Sequence, residues 1–150
     1  MMSEDEKWMQ YAIIEANIAK DKAETPVGSI IVLNNQIIAK GHNCPISKND
    51  STAHAEIQAI RKAGKTLNNY RLNGTVMYVT LEPCAMCLGA IMHARIDKII
   101  FGAYDNKTGV CGSCTSLTKA TFFNHKIKIN GGVLEKTCSQ LLKDFFKKRR

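Results

Sequence analysis

The sequence predicts a three-layer α/β domain, helix–sheet–helix, around a central mixed sheet of about five strands. Three observations carry this expectation. Short runs rich in Val, Ile and Thr alternate with longer segments at helical spacing. No repeat, low-complexity tract or long linker divides the chain. Its 150 residues, 45% hydrophobic and 23% charged, suit one domain spanning 1–150 with a real core.

Residues 4–20 place Trp8, Tyr11, Ala12, Ile14, Glu15, Ile18 and Ala19 near helical spacing, which predicts an amphipathic first helix. Val27–Leu33 and Gln36–Lys40 flank Asn34 and Asn35, the pattern of a tight hairpin. A polar segment, Gly41 to Thr52, leads into a helix carrying His54, Glu56, Ile57, Ala59 and Ile60 and ending near Gly64. Thr75–Thr80 reads as a strand, and Pro83 lies just before a helix that holds Cys84 and Cys87 and ends near His93. Asp97–Gly102 is another strand. Residues 103–116 form a glycine-containing loop, Ile127–Ile129 with Val133 and Leu134 suggest a last strand, and 135–150 a terminal helix. Both ligand-bearing helices start directly after strand-and-loop segments, so their N-termini can converge at one sheet edge.

The balance of Lys+Arg 21 against Asp+Glu 13 gives a net charge of +8, and the excess is uneven. Lys143, Lys147, Lys148, Arg149 and Arg150 crowd the last eight residues beside one anion, Asp144. Such a surface favours polyanions without implying sequence preference. The plainer reading is a solvated helix end, where cations offset the dipole. The opening MMSEDEKWMQ is acidic and polar, unlike a secretory leader, and no apolar run approaches membrane-spanning length. A cytoplasmic protein is expected, with its six cysteines serving as ligands or buried thiols instead of disulfides.

Cys84 and Cys87 are three apart, so on a helix they share a face and can reach one ion. At a helix N-terminus the peptide dipole favours the thiolate, the form that binds metal, and Pro83 suits such a start. His54 must come from the other helix. His-x-Glu spacing advances about 200°, which splits the two side chains around a helix unless the metal sits near its end. Sulfur with imidazole points to zinc. Three good ligands leave a fourth position for water, and Glu56 is the carboxylate placed to take its proton. Glu56 as an accidental surface residue is the plainer alternative. A rival metal reading joins Cys84-x-x-Cys87 to Cys111-x-x-Cys114 as a zinc ribbon, a structural site in a nucleic-acid-binding module. The predicted helix and strand between the pairs speak against it.

The motif H-x-E…P-C-x-x-C is the signature of the zinc base deaminases. Around it stand Pro26-Val-Gly28, Gly41-His-Asn43, Thr52-Ala-His-Ala-Glu-Ile57, Asn69-Tyr-Arg-Leu72, Tyr78-Val-Thr-Leu-Glu-Pro-Cys84, Phe101-Gly102-Ala103 with Lys107-Thr-Gly109, Asn124-His125 and Asp144-Phe-Phe146. On these pieces nearly the whole chain resembles the bacterial tRNA-specific adenosine deaminases of the cytidine-deaminase-like superfamily. The resemblance implies conversion of the wobble adenosine of a tRNA anticodon loop to inosine, by a homodimer with one Zn2+ per subunit. It implies His54, Cys84 and Cys87 as zinc ligands, Glu56 as proton shuttle, and a metal-activated water attacking C6 of adenine. Asn43 would hold the flipped nucleotide. Asp105, Lys107 and Asn124 would contact its neighbours, and Phe145 and Arg149 would grip the loop strand. An extruded base needs such a pocket and charged surroundings, and single-stranded loops are where proteins read RNA sequence.

The core motif alone also fits a deaminase of a free base or nucleoside, of guanine or cytosine type. Cys44, Cys111 and Cys114 depart from the family pattern and lie in loops near the expected site. His42, His93 and His125 read as structural, and Trp8 and Tyr11 as core or interface residues.

Overall fold

The computed structural model describes residues 1–149, and Arg150 of the basic tail lies outside the described residues. Helix α1 (Glu4–Asp21) starts at a reciprocal cap: the Ser3 hydroxyl accepts from the Glu6 amide at 3.1 Å, and the Ser3 amide donates to the Glu6 carboxylate at 2.9 Å. A hairpin follows, β1 (Gly28–Leu33) and β2 (Gln36–His42). Asn34 and Asn35 take φ of 50° and 61°, the pair of left-handed residues that a two-residue turn needs to match sheet twist.

The next segment is not all loop. Pro45 opens a one-turn helix, α2 (Pro45–Lys48), where its fixed φ suits the first helical position. Buried Glu24 accepts the Ser47 and Ile46 amides at 2.7 and 3.3 Å. Helix α3 (Ala55–Leu67) runs past Gly64 and closes at Asn68, whose φ is 50°. Strand β3 (Val76–Leu81), helix α4 (Ala85–His93) and strand β4 (Lys98–Ala103) fall close to expectation. The last strand, β5 (Lys128–Asn130), excludes Val133 and Leu134: Leu134 is left-handed, φ 52°, and begins α5 (Glu135–Lys148).

The strands order β2-β1-β3-β4-β5, with β1 antiparallel to β2 and β3, and β3–β4 and β4–β5 parallel. Alternation along each strand feeds two cores. Ile30, Val32, Tyr78 and Ile100 face α1 and α5, while Ile31, Met77, Val79, Ile99 and Phe101 face α3 and α4. That is the predicted helix–sheet–helix arrangement on a mixed five-stranded sheet. Truncating one such buried Ile or Met to Ala costs about 2–5 kcal/mol. Across the first core the Tyr78 hydroxyl donates to Asp5 Oδ1 at 2.8 Å.

Two close fits position the site. A Cβ on Gly41 would run into the Ala55 carbonyl and the Ala59 amide, so only glycine lets α3 lie this near β2. In the parallel pair Leu81 stands opposite Ala103, and the Glu82 amide donates to the Ala103 carbonyl at 2.8 Å. The chain therefore leaves β3 and β4 at the same edge, which is where the two helix N-termini meet.

Candidate active site

His54 is the N-cap of α3, extended at φ −73° and ψ 157°, so it stands outside the helix. The angular split expected of His-x-Glu therefore does not arise. Its imidazole does no capping. That task falls to Asn43, whose Oδ1 accepts from the Ala55 amide at 2.9 Å. Cys84 occupies the same N-cap position on α4, with Cys87 in the first turn. Cys84 Sγ and Cys87 Sγ lie 3.7 and 3.5 Å from His54 Nδ1.

The three donor atoms fall within 4.8 Å of one another, and among the described residues no other cluster of three His, Cys, Asp or Glu side chains comes together in this way. One imidazole nitrogen and two sulfurs at two electropositive helix ends fit a soft divalent ion such as zinc, with a fourth position left over. The zinc-ribbon pairing is not assembled. The exposed Cys114 donates to the Asn106 carbonyl at 3.0 Å, and Cys111 lies in an isolated bridge with Ser116.

Glu56, only 4% exposed, sits in the first turn of α3 beside Cys87. Burial pushes its carboxyl up to about 7, within reach of a proton transfer near neutrality. Hydrogen bonding from Cys87 holds the Cys84 thiol well below its ordinary range, with His54 adding to the effect. Cys87, the donor of that pair and itself buried, is pushed up.

These groups open onto a cavity of about 90 Å³ lined by Thr25, Val27, Asn43, His54, Glu56, Leu81, Glu82, Cys84, Asp105 and Thr108. Larger clefts, of about 350 and 690 Å³, lie at the far ends of β3 and β4 around Gly74, Val76 and Lys98, away from every site group.

Asp105 lines the cavity, and its carboxylate accepts from the Lys107 and Thr108 amides at 3.0 and 3.1 Å and the Thr108 hydroxyl at 2.8 Å. Burial would raise its pKa, but these bonds hold it below the usual range. Lys107 and Asn124 are exposed and stand outside the cavity lining. Phe145 is buried, 8% exposed, with the Arg149 guanidinium 4.9 Å from its ring centre. The exposed aromatic of the tail is Phe146. His42 flanks a separate cleft, with Nδ1 3.7 Å from Glu15 Oε1 and Nε2 3.5 Å from Lys22 Nζ. His125 holds the Ile96 carbonyl at 2.6 Å. Glu82 was not among the expected site residues. An acidic side chain directly before Pro83-Cys84, in a run otherwise bound for the core, is the signal that could have marked it.

Residues 3–150 match the MafB19-like deaminase family. The tRNA-specific adenosine deaminase of Bacillus subtilis is 44% identical over 149 residues, 99% of this chain and 92% of that protein. That of Haemophilus influenzae is 48% identical over 147 residues, 97% and 85% of the two. A solved structure from work on A-to-I editing by tRNA:A34 deaminases at the wobble position of transfer RNA is 38% identical. It superposes with a TM-score of 0.88, covering 91% of this chain and 99% of that one.

Proposed function

The chain belongs to the MafB19-like deaminases and, among them, to the tRNA-specific adenosine deaminases, and we propose that it converts the wobble adenosine of a tRNA anticodon loop to inosine with zinc held by His54, Cys84 and Cys87. The observation that carries this reading is the meeting of His54 Nδ1 with both sulfurs beside the buried Glu56. When bound, zinc supplies the Lewis acidity that makes a water nucleophilic near neutral pH.

The chain's own residues do the rest. Glu56 takes a proton from the attacking water and passes it to N1 of the purine as the new C6–O bond forms. The same carboxyl serves the departing amine, so adenosine and water give inosine and ammonia. Asn43 has its oxygen committed to Ala55, which leaves its amide N–H groups as donors to the extruded nucleotide. Asp105 in the cavity wall and the exposed Lys107 two residues on meet the flanking nucleotides. Asn124, Phe145 and Arg149 extend the RNA surface, with Phe145 acting as the buried platform that holds Arg149 outward.

The reading takes residues 1–150 as a single deaminase domain that works as a homodimer in the cytoplasm. Six free thiols suit a reducing compartment, and among the described residues no helix is long and apolar enough to cross a membrane. The test is purified, zinc-loaded protein with an anticodon stem-loop, scored for inosine at the wobble position. Inosine formation at an undiminished rate in Glu56→Ala would sink the mechanism. Light scattering at the mass of one chain would sink the dimer.

A further inference from the structure

Glu82 is 2% exposed, and among the described residues no cation pairs with it. A buried carboxylate needs hydrogen-bond donors, and one loop supplies them all. Its Oε1 accepts from the Asp105 amide at 3.0 Å and from the Ser113 hydroxyl. Its Oε2 accepts from the Cys111 and Ser113 amides at 2.9 and 3.1 Å. The fit is tight: a Cβ on Gly109 would come within 2.6 Å of Glu82 Oε2. The segment from 105 to 113 is thus wrapped around one side chain, and that side chain directly precedes Pro83 and the metal-ligating Cys84.

We propose that Glu82 is a positioning residue for the reaction, fixing the nucleotide-facing wall of Asp105 and Thr108 at a set distance from the metal-bearing turn. The linkage is continuous. Glu82 holds the Asp105 amide, and the Asp105 carboxylate holds the Lys107 and Thr108 amides and the Thr108 hydroxyl, while the Lys107 side chain is left exposed. Glu82 acts on substrate only through these residues, so it decides how well the nucleotides beside the target adenosine are accepted. This inference rests on the deaminase reading above.

The test uses the full chain, zinc-loaded, with an anticodon stem-loop, and compares Glu82→Gln, Asp105→Ala and the double variant. The amide of Gln turns an N–H2 group toward donors, yet keeps the size of the side chain. Glu82→Gln is expected to keep one metal per chain, to raise KM about tenfold, and to leave kcat within about threefold. In the Asp105→Ala background the same change should add less than about twofold to KM, because both substitutions break one linkage. Ser113→Ala, which removes a single donor, keeps the question answerable if Glu82→Gln folds poorly. It should raise KM by a smaller factor that also vanishes without Asp105. KM effects that multiply independently, or a kcat loss that follows metal loss, would overturn the inference in an active wild-type protein. A wild-type protein that forms no inosine would instead overturn the deaminase reading beneath it.

Discussion

The side-chain oxygen of Asn43 lies 2.9 Å from the Ala55 amide and takes its hydrogen bond, which frees the neighbouring His54 from capping the helix it begins. One residue therefore does two jobs with two ends of an amide. Asn43→Asp keeps the acceptor but loses the N–H donors, and should retain thermal stability while inosine formation falls at least about tenfold. Asn43→Ala loses both and should also lower Tm by about 2–4 °C, from a cap worth about 1 kcal/mol. Equal Tm losses in the two variants would refute the division of labour.

Glu56→Ala should lower kcat by about 10²–10⁴, the range of a positioned acid–base group. Its zinc content should remain that of the wild type, because none of the three donor atoms is touched. Loss of the metal in this variant would make Glu56 a ligand or its support, contrary to the role assigned.

Burial raises the Glu56 carboxyl from near 4.5 to about 7. A carboxyl raised in this way gives its full stabilisation below its ordinary value and loses it as pH climbs through 7, where the buried charge forms. Urea unfolding of metal-stripped protein should show the wild type losing ground to Glu56→Gln between pH 4.5 and 8, by on the order of 3 kcal/mol. A constant difference across that window would contradict the burial argument.

Zinc needs both sulfurs as thiolates, yet Cys87 is held protonated as the donor to Cys84. Titrating Zn2+ into stripped protein at pH 7 should release at least one proton per chain, read by calorimetry in two buffers of different ionisation heat. Affinity should then rise with pH, about tenfold per unit for each proton displaced. Heats that do not depend on the buffer would count against the paired thiols.

Phe145 packs inward, so cutting the tail at 143 would strip α5 of a core side chain as well as its charges. The cleaner change is Lys147→Glu with Lys148→Glu, both exposed. The pair should weaken stem-loop binding and reduce the slope of log K against log salt by about two, with little change in Tm. An unchanged slope would remove the tail from the RNA surface.

What the sequence disclosed, and what it hid, follows from how local each cause is. Asn34 and Asn35 announced their turn because asparagine tolerates the left-handed conformation that both adopt. His54, Glu56, Cys84 and Cys87 are legible as a chemical set, whereas the N-cap position of His54, which removes the helical-face conflict with Glu56, is a feature of the backbone. Helix α2 leaves no mark in the sequence because four residues in a polar stretch carry no periodicity, and the Glu24 that anchors it is more than twenty positions away. Val133 and Leu134 looked like strand from side-chain type alone, but the backbone turns at Leu134 to start α5. Glu82 was hidden for the same reason as Glu24. A buried acid is explained by its donors, and these lie 23 to 31 positions downstream.

The pairing of β3 with β1 on one side and β4 on the other has a consequence for the order of events in folding. Tyr78 and Asp5 are 73 positions apart, and His54 and Cys87 are 33 apart, so neither contact can nucleate locally. Chains dominated by such distant pairings fold slowly, because loop closure precedes any reward. Until β3 docks against the β1–β2 hairpin, the imidazole and the two thiols belong to separate pieces of chain. A metal held by His54, Cys84 and Cys87 would accordingly be captured late, as a latch on a nearly finished sheet and not a seed for it, and early zinc should leave the main refolding rate unaltered.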